Sequence, residues 1–290
     1  MSSFKPSTTP CAVLLGTCRD QKGLVAKISK FIYENGGNIV DSAQHTDHEV
    51  GIFCVRMEWI LDGFNIPREA IASEFSKLAS SIGMTWNIRF TDEKQKCAIF
   101  VSKQDHCLID LLGRQRCGDL IVDIPIIISN HESLRPIAQQ FGICFQYLPI
   151  DKENKPEQEK REIELLRQHN VDLVILAKYM QVLSPDLLIK LPHAINIHHS
   201  FLPAFPGANP YHRAFARGVK IIGATAHYVT EDLDEGPIIE QGVRRVSHRD
   251  TVQDMIRKGK DIEKYVLARA VYLHLNHRIL VYGNKTVVFD

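Results

Sequence analysis

Two segments hold residue types able to open an amide-like carbonyl: Asn196-Ile197-His198-His199-Ser200-Phe201-Leu202-Pro203 and, after a loop, Leu233-Asp234-Glu235-Gly236-Pro237. An amide, an imidazole and a carboxylate together can polarise a carbonyl, move a proton and hold a water. Strict alternation along a strand puts Asn196, His198 and Ser200 on one face, with Ile195 and Ile197 on the other. Such a polar face must look into a cleft or pair internally, because a buried polar group without a partner is costly. His198 and His199 are adjacent, so a strand aims them to opposite faces and away from a shared ion. No His-Glu-x-x-His or Cys/His set at zinc spacing occurs, and no metal site is expected.

The elements that must position these residues alternate in type. Cys97–Ser102, Pro125–Ser129, Cys144–Leu148 and Val171–Ala177 are short apolar runs, separated by helical stretches such as Pro156–His169. Strands apolar on both faces and alternating with helices form a parallel sheet covered on both sides, a Rossmann-like arrangement. Ligands of such sheets bind outside the carboxyl ends of the strands. Lys178-Tyr179-Met180, His198 and the segment after Thr230 are expected to gather there. A long helix, Thr251–Asn276, turns Val252, Met255, Ile262, Val266 and Leu273 inward, and Ile279–Phe289 closes the chain as a hairpin turning at Gly283-Asn284. Pro206 to His212 reads as a turn-rich lid or connector.

Ahead of this α/β region, residues 11 to 90 read as a smaller module. Strand Cys11–Cys18 leads to an amphipathic helix, Lys22–Asn35, with Leu24, Ile28, Phe31 and Ile32 on one stripe. That helix stops at Gly36-Gly37, where left-handed geometry is cheap. Asn38–Asp47 and Gly51–Ile60 are strands joined by a polar turn near His45 and His48. Pro67 opens a helix through Ile82, and Thr85–Phe90 is the last strand. The order βαββαβ is ferredoxin-like. The expected division is residues 1–90, a charged linker at 91–96, and a second domain over 97–290.

Composition narrows the class. The chain has 290 residues, is 44% hydrophobic, and balances 35 Lys and Arg against 34 Asp and Glu. That balance provides no overall electrostatic footprint for nucleic acid or an anionic membrane. No apolar run approaches the ~20 residues needed to span a bilayer, and Met-Ser-Ser-Phe-Lys-Pro-Ser lacks the apolar core of a secretion signal. Seven cysteines, an odd number without a Cys-x-x-Cys pair, are expected as reduced thiols. A soluble, cytoplasmic protein is expected.

With Arg19-Asp20-Gln21-Lys22-Gly23-Leu24-Val25 and Gly37-Asn38-Ile39 in place, the front module resembles an ACT domain. That resemblance implies a regulatory unit in which Gly23 and Asn38 mark an amino-acid effector site between paired modules, in a dimer or tetramer. From about Lys96 onward the chain is similar to the formyltetrahydrofolate-using transferase and hydrolase superfamily. The residues carrying the likeness are Leu176 through Pro185, Asn196 through Pro203, and Gly223 through Pro237. It implies catalysis by Asn196, His198 and Asp234, supported by Ser200 and His227. A folate substrate would lie between Met180, Gln181, Val182 and Leu183 on one side and Val229 and Thr230 on the other, with no cofactor. Asp232 and Glu235 compete with Asp234 for the role of base; Asp234 alone matches the superfamily's Asp between Leu and the Gly-Pro turn. Ser200 is expected to hold its turn by bonding its own backbone.

Transfer and hydrolysis can be told apart. In the transferases, as with glycinamide ribonucleotide as acceptor, the first strand of this fold ends in Ser-Gly-Asn-Gly-Ser-Asn, whose bare backbone N–H groups cradle a phosphate. Here Cys97–Val101 runs into Ser102-Lys103-Gln104-Asp105-His106-Cys107. The glycines are gone and Asp105 would repel a phosphate. Hydrolysis of 10-formyltetrahydrofolate to tetrahydrofolate and formate is the expected reaction. A third alternative, an amino-acid sensor without chemistry, has no use for Asn196, His198 and Asp234 together.

Overall fold

The structure, a computed structural model, describes residues 9–203 and 210–290. It divides the chain into two compact units, residues 1–93 with 276–290, and residues 94–275. In the first, β1 (Cys11–Arg19), α1 (Leu24–Glu34), β2 (Ile39–Asp47), β3 (Ile52–Ile60), α2 (Arg68–Ile82) and β4 (Thr85–Phe90) follow the expected βαββαβ order. The strands form an antiparallel sheet in the order β2-β3-β1-β4. Leu24, Ile28 and Ile32 of α1 pack with Ile71, Phe75 and Ala79 of α2 onto Trp59, Met57 and Leu14 of the sheet. Gly23 precedes α1 at φ 86° with nothing near its absent side chain, so conformation, rather than a close neighbour, favours glycine there. Asn38 is exposed at the start of β2.

The second unit begins with β5 (Lys96–Val101), α3 (His106–Cys117), β6 (Asp123–Ser129), α4 (Arg135–Gln140) and β7 (Cys144–Tyr147). It continues with α5 (Lys155–Gln168), β8 (Leu173–Leu176), α6 (Pro185–Leu188) and β9 (His193–His198). After α7 (Pro210–Arg217) come β10 (Ile221–Tyr228), β11 (Ile238–Arg245) and α8 (Val252–Leu275). The sheet order is β11-β10-β9-β8-β5-β6-β7. Strands β9, β8, β5, β6 and β7 are parallel, and β10 and β11 add an antiparallel edge. The chain runs outward from β5 through β6 and β7, then returns to the other side of β5 as β8. The carboxyl ends of β5 and β8 therefore flank a topological switch point, the usual ligand crevice of such sheets. Helix α8 packs on β9, β10 and β11 through Met255, Ile262, Val266 and Leu273, all buried. Val252, also expected inward, is half-buried at the first position of that helix. The part of the proposed lid over 206–209 lies outside the described residues, and 210–212 open α7. Among the described residues no helix is long and apolar enough to cross a membrane.

The closing hairpin, β12 (Ile279–Tyr282) and β13 (Lys285–Val288), differs from expectation. It belongs to the first unit, not to the second domain over 97–290. Leu280 and Phe289 bury against Cys54, with Leu15, Ala43 and Ile52 packed alongside. The hairpin thus covers the sheet face that α1 and α2 leave open. Polar contacts reinforce it. Arg56, 2% exposed, donates from Nη1 to Asp41 and from Nη2 to Glu58, both at 2.6 Å, and from Nε to the His277 carbonyl at 3.0 Å. Asp47 accepts from Tyr282 Oη at 2.9 Å and Lys285 Nζ at 3.1 Å. Asp41 and Glu58 stay open to solvent when the guanidinium is removed, so the loss is that of hydrogen bonds to charged groups, about 1.5–3 kcal/mol. Arg56→Met is therefore expected to lower stability by about 2 kcal/mol and to release the hairpin first, measured by urea unfolding and by proteolysis near His277.

Candidate functional site

The site is built on the antiparallel junction of β9 and β10. Their register sets His227 opposite Asn196 and Thr225 opposite His198. Facing residues on one side of such a pair have Cβ atoms about 5 Å apart, so the Asn196 carboxamide reaches the His227 ring. Asn196 Nδ2 lies 3.3 Å from His227 Nε2, and His227 Nδ1 lies 2.9 Å from the Tyr228 carbonyl. A carbonyl only accepts, so Nδ1 carries the proton and Nε2 of the neutral ring accepts from Asn196. One Asn196 N–H is spent on orientation and the other remains available.

Asp234 arrives on the loop between β10 and β11, which has to fold back sharply. At Gly236 a Cβ would overlap the Tyr228 carbonyl oxygen, and the Tyr228 N–H donates to Pro237 O at 3.0 Å. Only glycine permits that approach. Asp234 itself has φ 60°, a left-handed conformation that Asp tolerates better than most residues. Its Oδ2 then lies 3.1 Å from His198 Nδ1, and its Oδ1 is 3.7 Å from His227 Nε2. The hydrogen bond from His198 outweighs partial burial and holds this carboxyl well below the usual carboxylate range. Asp232 and Glu235, the competing carboxylates, are exposed. With Nδ1 committed to Asp234, the buried Nε2 of His198 has no hydrogen-bond partner among the described residues. A buried imidazole nitrogen without a partner, beside an oriented amide, is a place to receive a reacting group.

Two expectations about this strand need correction. β9 ends at His198, so the chain turns there and the rings of His198 and His199 stack at 4.9 Å instead of opposing each other. Ser200 is buried, but its hydroxyl has no partner among the described residues and does not hold the turn. Thr225 does so. Its hydroxyl donates to the Ser200 carbonyl at 2.9 Å and accepts from Leu202 N and from Gln241 Nε2, both at 3.0 Å. Gln241 also donates to the Leu202 carbonyl at 3.1 Å. The register that places Thr225 beside His198 depends on a strand pairing 27 residues apart in sequence, which local pattern does not reveal.

The loop after β8 forms the neighbouring wall. Met180 and Val182 expose apolar side chains, Gln181 is half-buried, and Leu183 turns into the core. Its backbone offers less than expected, because Met180 N donates to Ser102 Oγ at 3.1 Å and Lys155 Nζ donates to the Val182 carbonyl at 2.6 Å. Opposite, Val229 N donates to the Ala194 carbonyl and the Thr230 hydroxyl to the Asp232 carbonyl, so Thr230 shapes the loop that carries Asp234. Leu233, exposed beside Asp234, adds an apolar edge. The result is a polar centre between two apolar lips, suited to a flat ring with a carbonyl substituent.

Known proteins show the same architecture. Residues 95–271 match the family described as Formyl transferase, and residues 13–80 match that described as ACT domain. A formyltetrahydrofolate deformylase of Synechocystis is 61% identical over 96% of this chain and 98% of its own length. The crystal structure of a formyltetrahydrofolate deformylase from Pseudomonas syringae superposes with a TM-score of 0.95 at 43% identity, covering 99% of this chain and 96% of that one. A glycinamide ribonucleotide transformylase from Symbiobacterium toebii superposes with a TM-score of 0.65 at 30% identity, covering 70% of this chain and 98% of its own.

The depressed Asp234 carboxyl has a consequence for stability. A group whose folded pKa lies below its unfolded value stabilises the fold above the unfolded pKa, and that contribution is lost as pH falls. Between about pH 5 and pH 3, near and below the ordinary Asp value of about 3.9, the wild-type chain is expected to lose stability more steeply than Asp234→Asn. Urea midpoints of both proteins across that window measure the difference.

Proposed function

Because the chain belongs to the formyltetrahydrofolate deformylase family, we propose that this site hydrolyses 10-formyltetrahydrofolate to tetrahydrofolate and formate. The observation that carries the reading is the array in which Asn196 meets His227 and His198 meets Asp234, with His198 Nε2 buried and unpartnered among the described residues. The pterin ring lies between Met180 and Val182 on one side and Val229 to Asp234 on the other. Its formyl oxygen meets the free N–H of Asn196.

The roles follow from the hydrogen bonds. Neutral His198, its Nδ1–H held by Asp234, takes a proton at Nε2 from a water attacking the formyl carbon. A C–O bond forms as the carbonyl electrons move onto oxygen, where Asn196 stabilises the charge. The same imidazolium then returns its proton to the folate nitrogen as the C–N bond breaks. Asp234 stays ionised throughout, because a carboxyl held that low is a poor base at neutral pH and a good partner for an imidazolium. Ser200 and His227 act behind these groups, His227 by orienting the Asn196 amide. The chemistry is proposed to need neither metal nor cofactor. The similarity to deformylases over nearly the whole chain, against 70% for the transformylase, does not favour transfer to an amine.

We assign the first unit to effector binding in a homo-oligomer, with an amino acid near Gly23 and Asn38. Support comes from the ACT match over residues 13–80, the open space beside Gly23 and the exposure of Asn38. Asn38→Ala is expected to abolish any shift in melting temperature caused by added amino acids while formate release continues; an unchanged shift would place the effector elsewhere.

The catalytic assignment is tested by release of formate and tetrahydrofolate from purified protein. Asn196→Ala should cut kcat about a hundred-fold with a smaller change in KM, as for other oxyanion donors. Asp234→Asn should cost about a thousand-fold or more by leaving the wrong imidazole tautomer. Near-normal turnover in either variant would remove that residue from its role.

A further inference from the structure

Glu263, in the middle of α8, is 2% exposed. Burial pushes its carboxyl up, but the hydrogen bond to His106 and the charge of Lys178 prevail and hold it at about 2. Its Oε2 lies 2.7 Å from His106 Nε2 and 3.4 Å from Lys178 Nζ, and its Oε1 accepts from Tyr211 Oη at 2.8 Å. The three donors come from three segments: His106 opens α3 after β5, Lys178 follows β8, and Tyr211 lies in the first turn of α7. Space for the phenol depends on Gly259, one turn earlier on α8, where a Cβ would overlap the Tyr211 hydroxyl.

Two of the strands that lead into this cluster neighbour the strand that ends in His198. β8 pairs with β9 on one side and β5 on the other, with Leu176 level with both Asn196 and Phe100. Lys178 leaves β8 two residues later at φ 65°, a strained conformation for lysine. Neighbouring strands are about 4.8 Å apart, so the cluster's origin on β8 and β5 is one to two strand spacings from His198. The ligand-type atoms of His106, Cys107 and Glu263 lie within 4.8 Å of one another. The Lys178 ammonium already neutralises the carboxylate there, and burial pushes the Cys107 thiol far up, keeping it a neutral, poor ligand.

We propose that Glu263, together with His106, Lys178 and Tyr211, closes this flank of the site to amine nucleophiles and so makes water the acceptor. The inference rests on the hydrolytic reading above. Formyl transfer would form a bond from the amine nitrogen to the formyl carbon, break the bond to the folate nitrogen, and move one proton from the amine to that nitrogen. An incoming amine needs a hydrogen-bond acceptor for its N–H groups and room for its substituent. Glu263 has both oxygens committed inside the cluster, and Tyr211 fills the adjoining space. Water needs none of these accommodations.

The test uses the full chain with 10-formyltetrahydrofolate and glycinamide as the probe amine, quantifying formate and N-formylglycinamide together. Wild-type protein is expected to yield formate. Glu263→Gln keeps the shape and frees the flank, so the ratio of formylated amine to formate should rise about ten-fold or more, the discrimination that a few lost contacts can carry. Tyr211→Phe should move the ratio in the same direction by less. A merely structural role would slow turnover without changing this ratio. Variants that consume substrate with the wild-type ratio overturn the proposal, and should Glu263→Gln fail to fold, Tyr211→Phe decides alone. Wild-type protein that yields no formate overturns the hydrolytic reading itself, and this inference with it.

Discussion

The contact on which the site depends involves no side chain: the backbone of Gly236 lies against the carbonyl of Tyr228. With any larger residue there, the β10–β11 loop would have to open and the Asp234 carboxylate would swing away from His198. Three further features follow from that close approach. Asp234 takes a left-handed backbone, the imidazole tautomer of His198 is fixed, and the second carboxylate oxygen faces His227. A side chain held by a backbone collision costs little to reorganise during a reaction, the condition under which fixed dipoles are most effective.

The surroundings serve the same end by different means. Thr225 and Gln241 tie down the turn after β9 through four hydrogen bonds, so the strand end bearing His198 does not depend on its own sequence for rigidity. Ser102 joins the β5 end to the loop after β8, accepting from Met180 N and donating to Asn130. The site thus sits on strand ends cross-braced by buried hydroxyl and amide groups, while the apolar lips of Met180, Val182 and Leu233 remain exposed. Rigid centre and exposed rim suit a ligand that must enter flat and react at one atom.

Much of this was legible in the sequence because the signals were local. Apolar runs separated by helical stretches indicate a parallel sheet, and Gly36, at φ 75°, takes the left-handed turn expected at the end of α1. The spacing of Asn196 and His198 along one strand, and the Leu-Asp-Glu-Gly-Pro signature, pointed to the residues that meet. What pattern did not reveal was nonlocal. Thr225 looks like an ordinary strand threonine until its pairing with His198 is known. Glu263 lies on an amphipathic helix where a charged residue reads as solvated, and only the three segments that converge on it show otherwise. The closing hairpin packs in the first unit and not the second, and the sequence holds a clue to this: β3, Ile-Phe-Cys-Val-Arg-Met-Glu-Trp-Ile, is apolar at both parities and so needs cover on both faces.

That hairpin also orders events during synthesis. Its residues leave the ribosome after the entire second unit, yet they complete the core of the first. Until then the nascent β1–β3 surface around Leu15, Ala43, Ile52 and Cys54 has no cover, and open apolar sheet faces are the surfaces that recruit chaperones or neighbouring chains. The unit made earlier is consequently the later to mature, and loss of the β12–β13 hairpin would be felt some two hundred residues upstream, around Cys54.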